Sequence, residues 1–268
     1  MPKRLFLRVA KRLIAVRRLF LATTIFFIVS ILLSGCLYPG RDLPSTENIS
    51  EDLERVQKAV DLYVEETLTP PVREATWDAE KKITGVPVDF SLLIGRYLVD
   101  APKSAYERGG RYQYVLLADD ETFIVRLVDL TLSQSVMDVQ QKVYAYQQRT
   151  GRLPLGEPII HLAPIGGAGT EDAAVYALDT SALGEAVKSP QSPYSSYRLP
   201  LLITARGRVY LDYALDLALM KERAGADDAS VLQGKIDARW LLIHHAPFVP
   251  ALSLPYRFEE DEPVIVRE

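Results

Sequence analysis

Two stretches of the chain space their apolar residues alike. Leu53, Val56, Val60 and Tyr63 fall at intervals of 3, 4 and 3, and Val136, Val139, Val143 and Tyr146 repeat those intervals 83 residues later. That period is the buried face of an amphipathic helix. At the same offset Gln57 matches Gln140, Thr67 matches Thr150 and Pro71 matches Pro154. The spacing predicts two helices, each stopped near a proline that cannot continue it.

Further blocks recur after each helix. Asp89–Leu93 matches Asp179–Leu183, and Pro102–Tyr106 matches Pro190–Tyr194. Tyr112–Leu117 and Thr122–Leu127 flank the polar Ala118–Glu121, while Leu199–Thr204 and Val209–Tyr213 flank Ala205–Arg208. Both sets predict a β-hairpin. Asp129-Leu130 and Asp216-Leu217 close the two sets. The expected fold is α+β, with two tandem helix–loop–hairpin units packed together over 50–132 and 133–220. Within the second, Leu155–Ala174 with its Gly166-Gly-Ala-Gly169 is expected to be a flexible loop. The remainder, 221–268, is expected to hold a helix within Asp227–Ile243. After it, His244–Pro263 is punctuated by prolines and should run extended along the surface.

Charge changes the picture at the N-terminus. Residues 1–18 carry seven basic side chains and no acidic one. Without them the chain has 24 basic against 35 acidic residues, a net charge of −11. An acidic body is a poor partner for nucleic acid, because phosphate binding needs surplus lysine and arginine. After Arg18 comes an uncharged apolar run, Leu19–Leu33, then Ser34-Gly35-Cys36. A basic start, an apolar stretch and small residues at its end predict a secretory signal peptide helix over 1–35. The basic residues stay on the cytoplasmic side, so Cys36 emerges on the far side. The run is about long enough to span a bilayer, so a plain transmembrane anchor is the competing reading.

Leu33-Ser34-Gly35-Cys36 resembles the bacterial lipobox. In lipoproteins that cysteine receives a diacylglyceryl thioether, and the signal peptidase cuts between the residues standing here as Gly35 and Cys36. Cys36 is the only cysteine of the chain. Acyl chains contribute about 0.8 kcal/mol per buried methylene, and two or more give stable anchoring. The resemblance implies a body tethered through 36–49 to the outer face of the cytoplasmic membrane of a monoderm bacterium.

Candidate chemistry is sparse. With one cysteine and three histidines there is no multi-cysteine metal site, and no cofactor or metal is expected. Gly166–Gly169 lacks the Gly-Lys-Ser/Thr of a phosphate loop. His244-His245 point apart in either a strand or a helix, which disfavours chelation. Glu259-Glu-Asp-Glu262 lacks calcium-loop spacing and suits a solvated edge. Asp119-Asp-Glu121 suits a hairpin turn, and Asp89 and Asp179 suit repeated caps. No catalytic residue is assigned. Tyrosines cluster in the loop–hairpin blocks, and Tyr106, Tyr112, Tyr194 and Tyr197 are the candidates for a binding surface. A small core with hydroxyls at its boundary is the plainer account of them.

Cys36-Leu-Tyr-Pro39, Pro87-Val-Asp-Phe90, Gly109-Gly-Arg-Tyr-Gln-Tyr-Val115, Ser192-Pro-Tyr194 and Pro247–Tyr256 resemble the YphF-type lipoproteins of Bacillus-like bacteria. That family supplies no biochemical activity. A label linking it to ABC-transporter binding proteins implies little, since those bodies alternate β and α units. The expectation is a non-enzymatic, lipid-anchored binding or scaffold protein of the cell envelope, its partner an envelope protein or a small ligand. A solute-binding lipoprotein is the alternative and an envelope enzyme the third reading. A cluster of buried ionisable residues in a pocket would favour the enzyme.

Overall fold

Helix α1, Thr46–Thr67, opens the folded body, four residues before the expected start of the first unit. Val56 and Val60 are fully buried on it, with Leu53 and Tyr63 partly buried beside them. A helix of nearly equal length, α3, spans Leu130–Thr150 and buries Val136, Val139 and Val143. These are the faces the spacing predicts. The computed structural model describes residues 46–73, 83–120, 122–159, 162–164, 174–184, 187–224, 232, 235 and 237–267. The signal segment, Gly35, Cys36 and Gly166–Gly169 lie outside the described residues. Thr46–Glu268 group as one compact unit.

After α1 come β1 (Val86–Pro87), the short α2 (Phe90–Leu93), β2 (Tyr112–Asp119) and β3 (Thr122–Asp129). The strands form an antiparallel sheet in the order β1-β2-β3. After α3 come β4 (Leu155–Pro158), β5 (Leu162–Pro164), β6 (Val175–Leu178), β7 (Leu201–Thr204) and β8 (Val209–Leu211). The second sheet runs β4-β6-β7-β8. Its last three strands share the register of the first sheet. Pro87 faces Val115, which faces Arg126; Ala177 faces Leu202, which faces Tyr210.

Each helix is fastened to its sheet by one glutamine. Gln57 Nε2 donates to the Phe123 carbonyl (2.9 Å), and Val125 N–H donates to Gln57 Oε1 (2.7 Å). Gln140 does the same with the Gly207 carbonyl and Val209 N–H, both at 2.8 Å. Asp89 N–H donates to the Pro71 carbonyl (2.8 Å), and Asp179 N–H to that of Pro154 (3.0 Å). The two aspartates then accept from the backbone and hydroxyl of Ser91 and Ser181. The predicted closing pair differs. Asp129 caps α3 by accepting from Thr131 N–H, whereas Ala214 N–H is taken by Asp212, and Asp216 lies inside the next helix.

Two expectations for the loops fail. Leu155–Ala174 is not all loop, since β4 pairs with β6 and β5 pairs in parallel with β10 (Glu262–Arg267). The C-terminal region is not a surface strap. Helix α4 (Ala214–Ala224) crosses residue 220, and helix α5 (Arg239–His245) overlaps the end of the expected Asp227–Ile243 helix, part of which lies outside the described residues. Then β9 (Tyr256–Glu259) and β10 form a hairpin, with Tyr256 fully buried. The pairing of β5 with β10 joins residues about a hundred positions apart, which no local pattern encodes.

The two long helices end at matched places in different ways. Beyond α3, Gly151 caps the helix at φ 69° and its N–H donates to the Gln147 carbonyl (2.8 Å). Beyond α1, Leu68 takes that conformation at φ 58° and its N–H donates to the Val64 carbonyl (2.8 Å). A left-handed non-glycine residue costs about 1–2 kcal/mol, partly offset by glycine's greater freedom when unfolded. Leu68 is 86% exposed, so its side chain contributes little packing. Leu68→Gly should raise stability by about 0.5–1 kcal/mol in urea unfolding. Gly151→Leu should lower it by a similar amount, since a Cβ there meets nothing within 4 Å.

Candidate functional site

The four candidate tyrosines do not share one setting. Tyr112 is buried, its ring 5.6 Å from that of Phe248 and 5.0 Å from the Arg111 guanidinium carbon. It is a core residue, because β2 buries both of its faces. Tyr194 is half-buried, with its hydroxyl turned inward to the Phe248 carbonyl (3.0 Å) and its ring edge-on to Tyr213. Burial raises its pKa well above the ordinary phenol value. Tyr106 and Tyr197 remain exposed, at 62% and 54%.

A group of ionisable side chains gathers at the end of the β2–β3 hairpin. Asp119 forms a short ion pair with Lys235 Nζ through Oδ1, and its Oδ2 lies 3.1 Å from His244 Nε2. All three side chains are largely withdrawn from solvent. His244 Nε2 is buried, and the Asp119 contact lies outside hydrogen-bonding alignment. Lys235 Nζ sits 4.3 Å above the Trp240 ring, a cation–π contact. Arg126 reaches in from β3, donating through Nε to the Ile243 carbonyl (2.5 Å) and through Nη1 to that of Val125 (2.8 Å).

Position in the fold explains the electrostatics. His244 lies in the last turn of α5, and its pKa is lowered first by burial. Lys235, Arg126 and His245 push it the same way, and Asp119 opposes them. Burial likewise lowers the pKa of Arg126. These contacts run between β2, β3, α5 and the segment before α5, so the group fastens the C-terminal region to the first sheet. His245, the next residue, turns to solvent. Sequence reading places Asp119 in a turn and keeps the histidines apart from it. The Asp119–Lys235 contact spans 116 residues, so no local signal announces it.

A second polar group is internal to the other half. The buried Asp216 accepts from Ser192 Oγ (2.8 Å) and Ser195 Oγ (2.6 Å). Burial raises its pKa, against the two serine bonds. In the first half the buried Ser104 donates to Asp52 (2.8 Å) and also meets Tyr114 Oη (2.8 Å). Asp89 and Asp179 are held low by their serine hydrogen bonds, as caps should be. Glu259–Glu262 includes the β9–β10 turn, where Asp261 is 90% exposed at the side chain and pairs with Lys221. Among the described residues no cluster of His, Cys, Asp or Glu could hold a metal ion. No described helix is long and apolar enough to cross a membrane.

Residues 49–129 match the YphF family N-terminal domain, which supports the resemblance to YphF-type proteins. The match runs from the first turn of α1 to the end of β3. No curated protein and no solved structure matches the chain.

The burial of His244 predicts a pH dependence. Its folded pKa lies below the ordinary imidazole value of 6.5, so the unfolded chain takes up the proton first as pH falls. Stability at this site is therefore full above 6.5 and declines as pH drops from there toward the folded pKa. Asp216, with its raised pKa, acts in the opposite sense, gaining a proton in the folded state as pH falls. Comparing wild type with His244→Gln isolates the histidine. Urea midpoints between pH 7.5 and 5.5 should fall more steeply for wild type than for the variant.

Proposed function

We propose that the chain is a bacterial lipoprotein whose folded body is a non-enzymatic binding or scaffold module of the cell envelope. The observation that carries this reading is Leu33-Ser34-Gly35-Cys36, with the only cysteine of the chain at the lipobox position, behind a basic start and an uncharged apolar run. Residues 1–35 act as the signal peptide, cleavage falls between Gly35 and Cys36, and Cys36 carries the diacylglyceryl anchor. The body then stands on the outer face of the cytoplasmic membrane. The first described helix begins ten positions after Cys36. A stretch of that length reaches at most about 33–36 Å, which keeps the body close to the bilayer.

The non-enzymatic part of the reading rests on what the buried polar groups do. Asp119, Lys235 and Arg126 join separate elements, and Asp216 and Asp52 anchor serine-bearing loops. A solute-binding lipoprotein would call for parallel β–α units, and the two larger sheets here are antiparallel. We read the body as two copies of one helix–loop–hairpin unit, 50–132 and 133–220. The shared strand register, the paired glutamine clips and the paired Asp–Ser caps support that reading.

Cys36→Ala should abolish incorporation of labelled palmitate and leave an uncleaved precursor of lower gel mobility. Labelling equal to wild type would remove the lipoprotein assignment.

A further inference from the structure

Helices α1 and α3 bury the same face against their sheets, so they turn matching positions to solvent. On α1 these are Glu51, Glu54, Lys58, Asp61 and Glu65, all exposed. The positions 83 residues on are Gln134, Met137, Gln141, Tyr144 and Gln148, also all exposed. Every position of the first stripe is charged and none of the second is. Met137 keeps 55% and Tyr144 53% of its surface open. The charged residues of α3, Asp138, Lys142 and Arg149, fall together on one flank of the stripe at 100° per residue.

Solvation alone gives no reason for this difference, since α1 meets the same solvent with charge. Depletion of charge together with exposed methionine and tyrosine is the composition of an interface core. The 3-4-3-4 spacing is the seam along which two helices pack side by side. We propose that a second copy of this chain packs here, α3 against α3, antiparallel about a two-fold axis at Gln141.

The order of side chains favours a copy over an unrelated partner. Gln, Met, Gln, Tyr, Gln reads nearly the same in both directions, apart from the exchange of Met and Tyr. Reversal sets Gln134 against the partner's Gln148, Met137 within one residue's rise of the partner's Tyr144, and Gln141 against its own counterpart. Such self-matching is what an isologous two-fold interface requires. Amide side chains both donate and accept, so glutamine can pair with glutamine. Methionine sulfur against an aromatic ring is a favourable contact. On the flank, Asp138 falls within about half a turn of the partner's Lys142, an opposite-charge match. The α1 stripe, with four acids and one lysine, would repel its own copy.

The test uses full-length protein in membranes of the producing cells, with the unsubstituted chain as the blank for Cys36. Gln141→Cys should give a covalent dimer with a short bis-maleimide, and Lys58→Cys on α1 should not. Adding Met137→Glu and Tyr144→Glu to the Gln141→Cys chain places acid against acid and should abolish the dimer. Unchanged circular dichroism and melting would show that this variant folds. Met137→Lys with Tyr144→Glu places base against acid only in the antiparallel arrangement and should restore the dimer. A parallel pair would oppose like charges and stay apart. The proposal is overturned if Gln141→Cys crosslinks no more than the blank or joins a different protein. It is equally overturned if the acid pair leaves the dimer intact, or if the lysine–glutamate pair fails to restore it.

Discussion

The two larger sheets depend on a seven-residue helix that neither of them contains. Arg239–Ile243 of α5 are buried in succession. Trp240 and Ile243 pack with Val115 and Leu117 on the outer face of the first sheet. Leu241 and Leu242 pack into the core that α3 shares with the second sheet. A helix this short is marginal alone, so its contacts on both sides hold it together. Each fully buried leucine or isoleucine contributes about 1.5–3 kcal/mol. Charge fixes its position as well: Arg239 grips Asp237 and the Ser253 carbonyl, and Arg126 takes the Ile243 carbonyl.

The chain leaving α5 extends the same role to the sheet edges. Leu127 N–H donates to the Pro247 carbonyl and Val249 N–H to that of Leu127, so the segment lies against β3. A few residues later Leu211 N–H donates to the Leu252 carbonyl, against β8. One proline-rich stretch thus satisfies backbone groups on an outer strand of each larger sheet, which would otherwise invite pairing with other chains. Its prolines suit that task, because an edge-covering strand needs few donors of its own. Below it, Tyr256 donates to Asp212 and accepts from Tyr213 N–H, and Tyr213 donates to the Ala251 carbonyl. Both phenols are fully buried and hydrogen-bonded, as burial demands.

What the sequence reveals follows from the range of each interaction. The buried faces of α1 and α3 are legible because a 3.6-residue period leaves a mark within twenty positions. The Asp–Ser caps are legible for the same reason. Trp240–Ile243 leaves no such mark, since a helix buried on every side has no polar face to set a period. Prolines in 247–255 read as surface punctuation, yet the stretch is held between two sheets. Tyr112 and Tyr194 show a further limit. Tyrosine suits both an exposed contact and a buried ring with a bonded hydroxyl, and only Phe248, more than fifty residues from Tyr194, decides the case.

Matched positions carry more information where they diverge than where they agree. Gln57 and Gln140 stay alike because each answers the same demand, two backbone groups on an adjoining strand. Ser104 and Ser192 keep the same donor but reach different acids, Asp52 on the preceding long helix and Asp216 on the following one. Tyr194 finds Tyr213 and the carbonyl of Phe248, which is held against β3, while Tyr106 stays exposed. The glutamine clip and the Asp–Ser cap thus recur, once with α1 and once with α3. The surroundings then assign each equivalent side chain to core, clamp or surface. Residues that break the correspondence, such as Tyr106 and Tyr194, mark where matched positions meet different neighbours.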